Sequence, residues 1–180
     1  MKILGIAGSL RQDSFSYKTL LVAMQKIKNP EIEQEIIQLR DLNLPFCDGS
    51  SDYDNHSDVA LFRQKVRESK AILLAAPEYH GSVSGALKNA LDLLEVEQVK
   101  GKVIGLIAVC GGVSNTGAIN TLRIVCRWLH ALVIPEQIVI AEAFTAFDER
   151  GQLRDPQLDA KLKEMVDHLV LFADRYPFSS

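Results

Sequence analysis

Residues 71–94 read AILLAAPEYHGSVSGALKNALDLL, and the change of pattern inside that stretch decides the class of fold. The run 71–76 is continuous in Ala, Ile and Leu. It lacks the polar alternation of a strand with one wet face, so it reads as a strand covered on both faces. Pro77 cannot donate to a β ladder and is expected to end the strand. Gly81 and Gly85 then provide a loop whose backbone can approach a flat ligand closely. From residue 85 the apolar positions recur at helical spacing. A buried strand, a glycine-bearing turn and an amphipathic helix make one unit of a parallel α/β sheet.

The same unit recurs on either side. Strands are expected at 2–7, 32–39, 71–76, 103–109 and 133–140, and helices at about 16–27, 58–68, 85–94, 117–130 and 157–175. The run 32–39 carries interleaved polar residues and is placed at an edge of the sheet. Within 117–130, Ile119, Leu122, Val125, Cys126 and Leu129 repeat at three- and four-residue intervals and must be buried together. The expected fold is a three-layer α/β sandwich spanning 1–180 as one domain, a five-stranded parallel sheet of flavodoxin-like type with helices on both faces. Such sheets bind ligands at the carboxyl ends of their strands, near the switch in strand order. The loops after strands one, three and four are therefore where chemistry is expected. The segment 43–57, rich in Asp, Ser and Asn, reads as a surface loop able to border a site.

Composition removes several classes of function. At 180 residues with 47% hydrophobic content the chain can bury a sizeable core. A net charge of −3 with scattered charges offers no basic surface for nucleic acid. Cys47, Cys110 and Cys126 form no C-x-x-C pair, so neither a disulfide framework nor a zinc site is suggested, and a reducing compartment is the simpler reading. The first apolar run meets Gly8-Ser9 too soon for a signal peptide. No stretch has the roughly 18 apolar residues of a membrane span. The expectation is a soluble cytoplasmic protein.

The first loop, GSLRQDSFS at 8–16, opens a helix. Hydroxyls of Ser9, Ser14 and Ser16, the guanidinium of Arg11 and the N–H groups at a helix start suit a phosphomonoester. Helix capping accounts for one serine but not for three with an arginine. Gly8 is expected to let the chain turn without a side chain in the way. The chain has no G-x-G-x-x-G and no G-K-[ST], so the dinucleotide and Walker-type phosphate sites are absent. In the third loop Tyr79 is an amphipathic ring suited to lie against an aromatic system. Glu78 alone reads as an exposed carboxylate, and His80 alone as a surface histidine.

Together GSLRQDSFS, PEYHGSVSGALKNALDLL and CGGVSNTGAINTLRIVCRWLHALVIP, running to residue 135, resemble the three signature regions of the NADPH-dependent FMN reductase family. The resemblance extends from Met1 to about residue 140 and implies a flavodoxin-like fold. It implies that Ser9, Arg11, Ser14, Phe15 and Ser16 hold the phosphate and ribityl end of FMN. It implies that Pro77, Glu78, Tyr79, His80, Gly81 and Ser82 pack along the isoalloxazine, largely through the backbone. Cys110, Gly111 and Gly112 are expected to line its pyrimidine side by backbone contact. Fixed N–H dipoles there would stabilise the charge that reduction brings. Ser114 and Thr116 are weaker candidates. Asp13 departs from the family's pattern, since its charge suits phosphate only if it points to solvent. His80 stands where asparagine is common.

The implied activity takes hydride from NADPH or NADH and passes electrons to a small acceptor, a quinone first, with azo compounds, chromate or free flavin as others. Turnover is expected to be ping-pong, with no catalytic side chain, because the cofactor carries the chemistry. A homodimer or homotetramer is implied as well. Leu87, Ala90, Leu91 and Leu94 are the apolar side offered by the third helix, and Trp128 and His130 are read as core or subunit packing. An electron-carrying flavodoxin would show a stronger acidic surface and a Thr/Ser-Gly-Thr loop. A receiver domain needs an acidic pair after strand one and an aspartate ending strand three, where Gly8-Ser9 and Pro77 stand.

Overall fold

A computed structural model describes residues 1–50, 53, 55–113 and 115–176. Ser114 and part of the 43–57 segment lie outside the described residues. The chain runs β1 (Lys2–Ala7), α1 (Phe15–Met24), β2 (Glu33–Gln38), α2 (Ser57–Glu68), β3 (Ala71–Tyr79), β4 (Ser82–Val83), α3 (Gly85–Asp92), α4 (Val96–Val99), β5 (Val103–Val109), α5 (Gly117–Trp128), β6 (Leu132–Ile140) and α6 (Pro156–Arg175). The parallel strands lie in the order β2-β1-β3-β5-β6, which places β2 at the edge as its polar residues require. The order reverses at β1 and β3, so their carboxyl ends open a crevice.

Each sheet face has its own core. On one, Leu20, Ala23 and Met24 of α1 and Leu162, Met165, Val166 and Leu169 of α6 cover Ile3, Leu73 and Ile107. On the other, Phe62, Leu87, Leu122 and Cys126 from α2, α3 and α5 cover Leu4, Ile72, Leu74 and Leu106. The central strands are buried on both faces, which is why they read as unbroken aliphatic runs.

Several boundaries differ from expectation. Pro77 does not end the third strand, which continues to Tyr79 with Pro77 in register with Val109. Ala75 accepts a hydrogen bond from Gly8 N–H on the β1 side. Pro77, two residues later, faces that same side, where β1 has already ended, so its missing N–H leaves no ladder bond unmade. Glu78 and Tyr79 then pair antiparallel with Val83 and Ser82 in a short hairpin. Its turn residues His80 and Gly81 have φ of 52° and 78°. Two left-handed residues are the requirement of a two-residue I′ hairpin turn, and His, like Asn, tolerates that region better than most side chains. The position commonly filled by asparagine is thus a backbone requirement.

The third helix stops at Asp92, and Glu95 begins the short α4 by donating its N–H to Gln98 Oε1. Leu87, Ala90, Leu91 and Leu94, offered above as a subunit face, are instead buried against the sheet of their own chain. Trp128 is not core packing: it is 75% exposed, with Ile124 one turn before it also exposed. His130 is exposed too, at φ 57° in the turn after α5.

Candidate active site

Four loops meet at the carboxyl end of the sheet, and hydrogen bonds between them fix their relative positions. The Ser84 hydroxyl is buried. It accepts the Leu87 N–H at 3.1 Å as the cap of α3 and donates to the Gly8 carbonyl, so it joins the first loop to the third. Gly8 is required by close approach and not by an unusual turn, since a Cβ there would lie 2.9 Å from Leu87 Cβ. The hairpin is tied to α5 in the same way. Glu78 is no free surface carboxylate: its Oε2 accepts the Ala118 N–H at 3.1 Å in the first turn of α5. Ser82 Oγ lies 3.0 Å from Thr121 Oγ1. A Cβ on Gly117 would fall 2.0 Å from the Gly81 carbonyl oxygen, so only glycine lets the turn rest on the helix start. Asn89 of α3 holds the loop after β2, donating to Pro45 O at 2.8 Å and accepting the Cys47 N–H at 2.9 Å.

The first loop and the carboxyl ends of β3 and β5 border a cleft of about 250 Å³. The side chains suited to a phosphate lie at and just before the start of α1. Ser16 is 1% exposed, and its Oγ is buried without a hydrogen-bond partner, although it lines the cleft. A buried hydroxyl left unpaired costs about 1–3 kcal/mol, and a ligand group that supplied the missing bond would relieve that cost. The helix start adds N–H groups that have no partner within the helix, at the positive end of its dipole. Arg11 is exposed at the mouth of the same cleft. The Ser9 hydroxyl accepts the Arg11 N–H at 3.3 Å, which shapes the loop. Asp13 borders the cleft but is exposed, and water can screen its charge.

The remaining walls are Pro77, Glu78 and Tyr79 from β3, and Val109, Cys110 and Gly111 at the end of β5. Cys110 is 4% exposed, and burial pushes its thiol above the ordinary value of 9.0, so it stays neutral at physiological pH. Its N–H donates to Ile140 O at 2.8 Å, and its carbonyl accepts from Ala143 at 3.0 Å. Ser9, Arg11, Phe15, Ser16, Pro77, Glu78, Tyr79, Cys110 and Gly111 are therefore brought together at one cleft. Ser14, His80, Gly81, Ser82 and Gly112 are not among the residues lining it. Ser14 is instead the cap of α1, accepting the Tyr17 N–H at 3.1 Å.

Sequence reasoning overlooked Ala143 and Phe144, which line the cleft from the loop after β6. The available signal was an aromatic pair, Phe144 and Phe147, directly after the last strand.

The profile of the NADPH-dependent FMN reductase family matches residues 1–145. The FMN-dependent NADPH-azoreductase of Staphylococcus aureus is 30% identical over 184 aligned residues, which cover 99% of this chain and 98% of that protein. The chain belongs to the NADPH-dependent FMN reductase family. Among solved structures, FerB, a flavoenzyme NAD(P)H:(acceptor) oxidoreductase from Paracoccus denitrificans, superposes with a TM-score of 0.80 at 23% identity, covering 97% of this chain and 98% of that one. A flavodoxin from the domain Archaea superposes at 0.69 with 12% identity over 97% and 100% of the two chains. At those identities the structures establish the flavodoxin-like fold. The family works with FMN and with NADPH as electron donor. The residues present fit that cofactor: an unpaired buried hydroxyl at a helix start and the guanidinium of the preceding loop border a cleft whose other walls include Pro77, Tyr79 and Val109. Among the described residues no cluster of metal-ligating side chains occurs, and no helix is long and apolar enough to cross a membrane.

Proposed function

We propose that the protein carries two electrons from NADPH or NADH to flat organic acceptors, quinones first and azo compounds or free flavin after them. Donor and acceptor take turns in one cleft. The observation that carries this reading is the unpaired Ser16 hydroxyl in a cleft walled by Pro77, Glu78 and Tyr79. That combination suits a ligand with a phosphate at one end and a flat ring system at the other. The chemistry FMN would supply when held there is two-electron transfer: the hydride given up by the nicotinamide, two electrons and one proton, would pass on to a quinone, with the second proton of the hydroquinone coming from solvent.

The chain supplies binding, orientation and fixed dipoles. Ser16, Ser9 and Arg11 are assigned to the phosphate, where a charge-assisted hydrogen bond contributes about 1.5–3 kcal/mol. Pro77, Glu78 and Tyr79 are assigned to the ring system, held against shifting by the ties of the hairpin to α5. His80, Gly81 and Ser82 act by setting that hairpin. Gly111 is assigned to the pyrimidine edge, where a backbone N–H group would favour negative charge. No side chain is assigned acid or base chemistry. The relative from Staphylococcus aureus supports azo compounds among the acceptors. A homo-oligomer is also proposed, supported by exposed Ile124 and Trp128 on α5.

Steady-state rates at varied NADPH and several fixed quinone concentrations test the reading, and parallel double-reciprocal lines are expected. Intersecting lines would point to separate donor and acceptor sites. NADPH left unoxidised with every acceptor would leave an electron carrier as the better description.

A further inference from the structure

We propose that Phe144 is the specificity-determining ring of the cleft, the residue that grips aromatic acceptors and separates them from acceptors without a ring. The proposal deepens the function argued above and rests on it. Phe144 is 65% exposed, yet it borders the cleft, while its neighbour Phe147 is 8% exposed. A large apolar ring held in water at the mouth of a cleft has a stacking surface to offer.

The ring is rigidly mounted. Glu142 has φ of 44°, a left-handed conformation that a glutamate adopts only when its surroundings enforce it. Its N–H donates to Gly112 O at 2.8 Å, and Ala143 N–H donates to Cys110 O at 3.0 Å. Thr145 closes the turn, its N–H and hydroxyl both reaching Glu142 O, at 2.9 and 3.1 Å. The loop after β6 is thereby bonded to the loop after β5, and the turn presents Phe144.

Behind the ring stands a row of aromatics. Phe15 meets Phe144 edge to face, with centroids 5.4 Å apart and planes at 81°, and Phe15 stacks on Phe147 at 5.8 Å and 12°. Beside it, Gly111 lies close to the ring, where even a Cβ would stand at an ordinary contact distance of 3.4 Å. Phe144 is supported from Phe15 and Gly111 and open toward the cleft. A fixed ring of this kind costs little ordering on binding and favours flat aromatic ligands.

The test compares Phe144→Leu, which keeps the apolar bulk, with Phe144→Trp, which keeps a ring. Two acceptors are used, 1,4-naphthoquinone and ferricyanide, the second having no ring to stack and taking one electron each, so that two ferricyanides are reduced per NADPH oxidised. Under ping-pong turnover kcat/KM for the acceptor reports the acceptor half-reaction alone. For naphthoquinone it should fall about tenfold in the Leu variant and recover in the Trp variant. Ferricyanide turnover and FMN affinity should stay within about twofold, on the order of the scatter of such measurements. An equal fall for both acceptors, or a loss of FMN affinity, would overturn the proposal by making Phe144 a structural or cofactor contact. No change for naphthoquinone would also overturn it. Titration of the FMN-loaded protein with naphthalene-2-sulfonate, which cannot be reduced, reads ring binding without turnover. Weaker binding in the Leu variant supports the proposal even if NADPH oxidation fails, and unchanged binding refutes it.

Discussion

Replacing Ser16 by alanine should change the sign of its effect when FMN is added. Without cofactor the Ser16 hydroxyl is buried and unpaired. Removing it relieves a desolvation cost of about 1 kcal/mol, at the low end of the range for a buried polar group. For a chain of this length that raises the melting temperature by roughly 2–4 °C. With cofactor, the variant loses a hydrogen bond to a charged phosphate, about 2 kcal/mol, or roughly 30-fold in affinity. At FMN 100 times the wild-type dissociation constant, binding stabilises the wild type by about 2.7 kcal/mol. The variant, at about 3 times its own constant, gains only about 0.9 kcal/mol by the same relation. Subtracting the cofactor deficit of about 1.8 from the apo gain of about 1 leaves the variant about 0.8 kcal/mol less stable than the wild type. Thermal melts with and without FMN, together with a fluorescence titration, read both halves. A variant already less stable without FMN would mean that the hydroxyl is satisfied in the apo protein. Unchanged FMN affinity would mean that it does not meet the phosphate.

The exposed Arg11 should be replaceable by alanine with little effect on folding, but FMN binding should weaken by about one to two orders of magnitude. Riboflavin, which lacks the phosphate, should bind both proteins equally. Gly117→Ala forces a Cβ to within 2.0 Å of the Gly81 carbonyl, which is backbone and cannot swing aside. A loss of about 1–3 kcal/mol in urea unfolding, with impaired FMN binding, is expected, and a wild-type midpoint would refute the close packing of turn on helix. Stability should also fall in acid. Lys2 Nζ lies 2.7 Å from Glu35 and 3.3 Å from Glu68. Burial pushes the Glu35 carboxyl upward, but hydrogen bonds from Lys2 and Lys65 outweigh it and hold the group below its ordinary value of 4.5. Gln64 and then Lys2 lower Glu68 likewise. Carboxylates depressed in the folded state stabilise it above the unfolded value, and that contribution is lost as pH falls through the folded value. The urea midpoint should therefore hold above pH 4.5 and drop below it, and Glu35→Gln should flatten the drop.

Much of the fold was legible because burial on two faces writes itself into composition. The runs at 71–76 and 103–109 are unbroken aliphatic stretches, and β2, half polar, sits at the edge as read. Pro77 misled because a proline disrupts a strand only where its missing N–H has a neighbour to serve, and the neighbour's endpoint is not a local property. The two-residue hairpin was hidden because His80 carries no strong turn signature, although a glycine follows it. The apolar stripe of α3 was legible as a stripe, but which surface covers it was not, and it faces its own sheet.

By itself the sequence determined the α/β class, the loops that carry the site and the residue types suited to a phosphate and a flat ring. These follow from chain-local patterns: aliphatic runs, serines with an arginine at a helix start, and glycines after strands. The tertiary structure alone decided that Ser16 lacks a partner, that Glu78 caps α5, that Gly117 must bear no side chain against the Gly81 carbonyl, and that Phe144 joins the cleft from a fourth loop. Each of these depends on atoms far apart in the chain meeting within a few ångströms, a consequence of strand order and helix packing that no local pattern encodes.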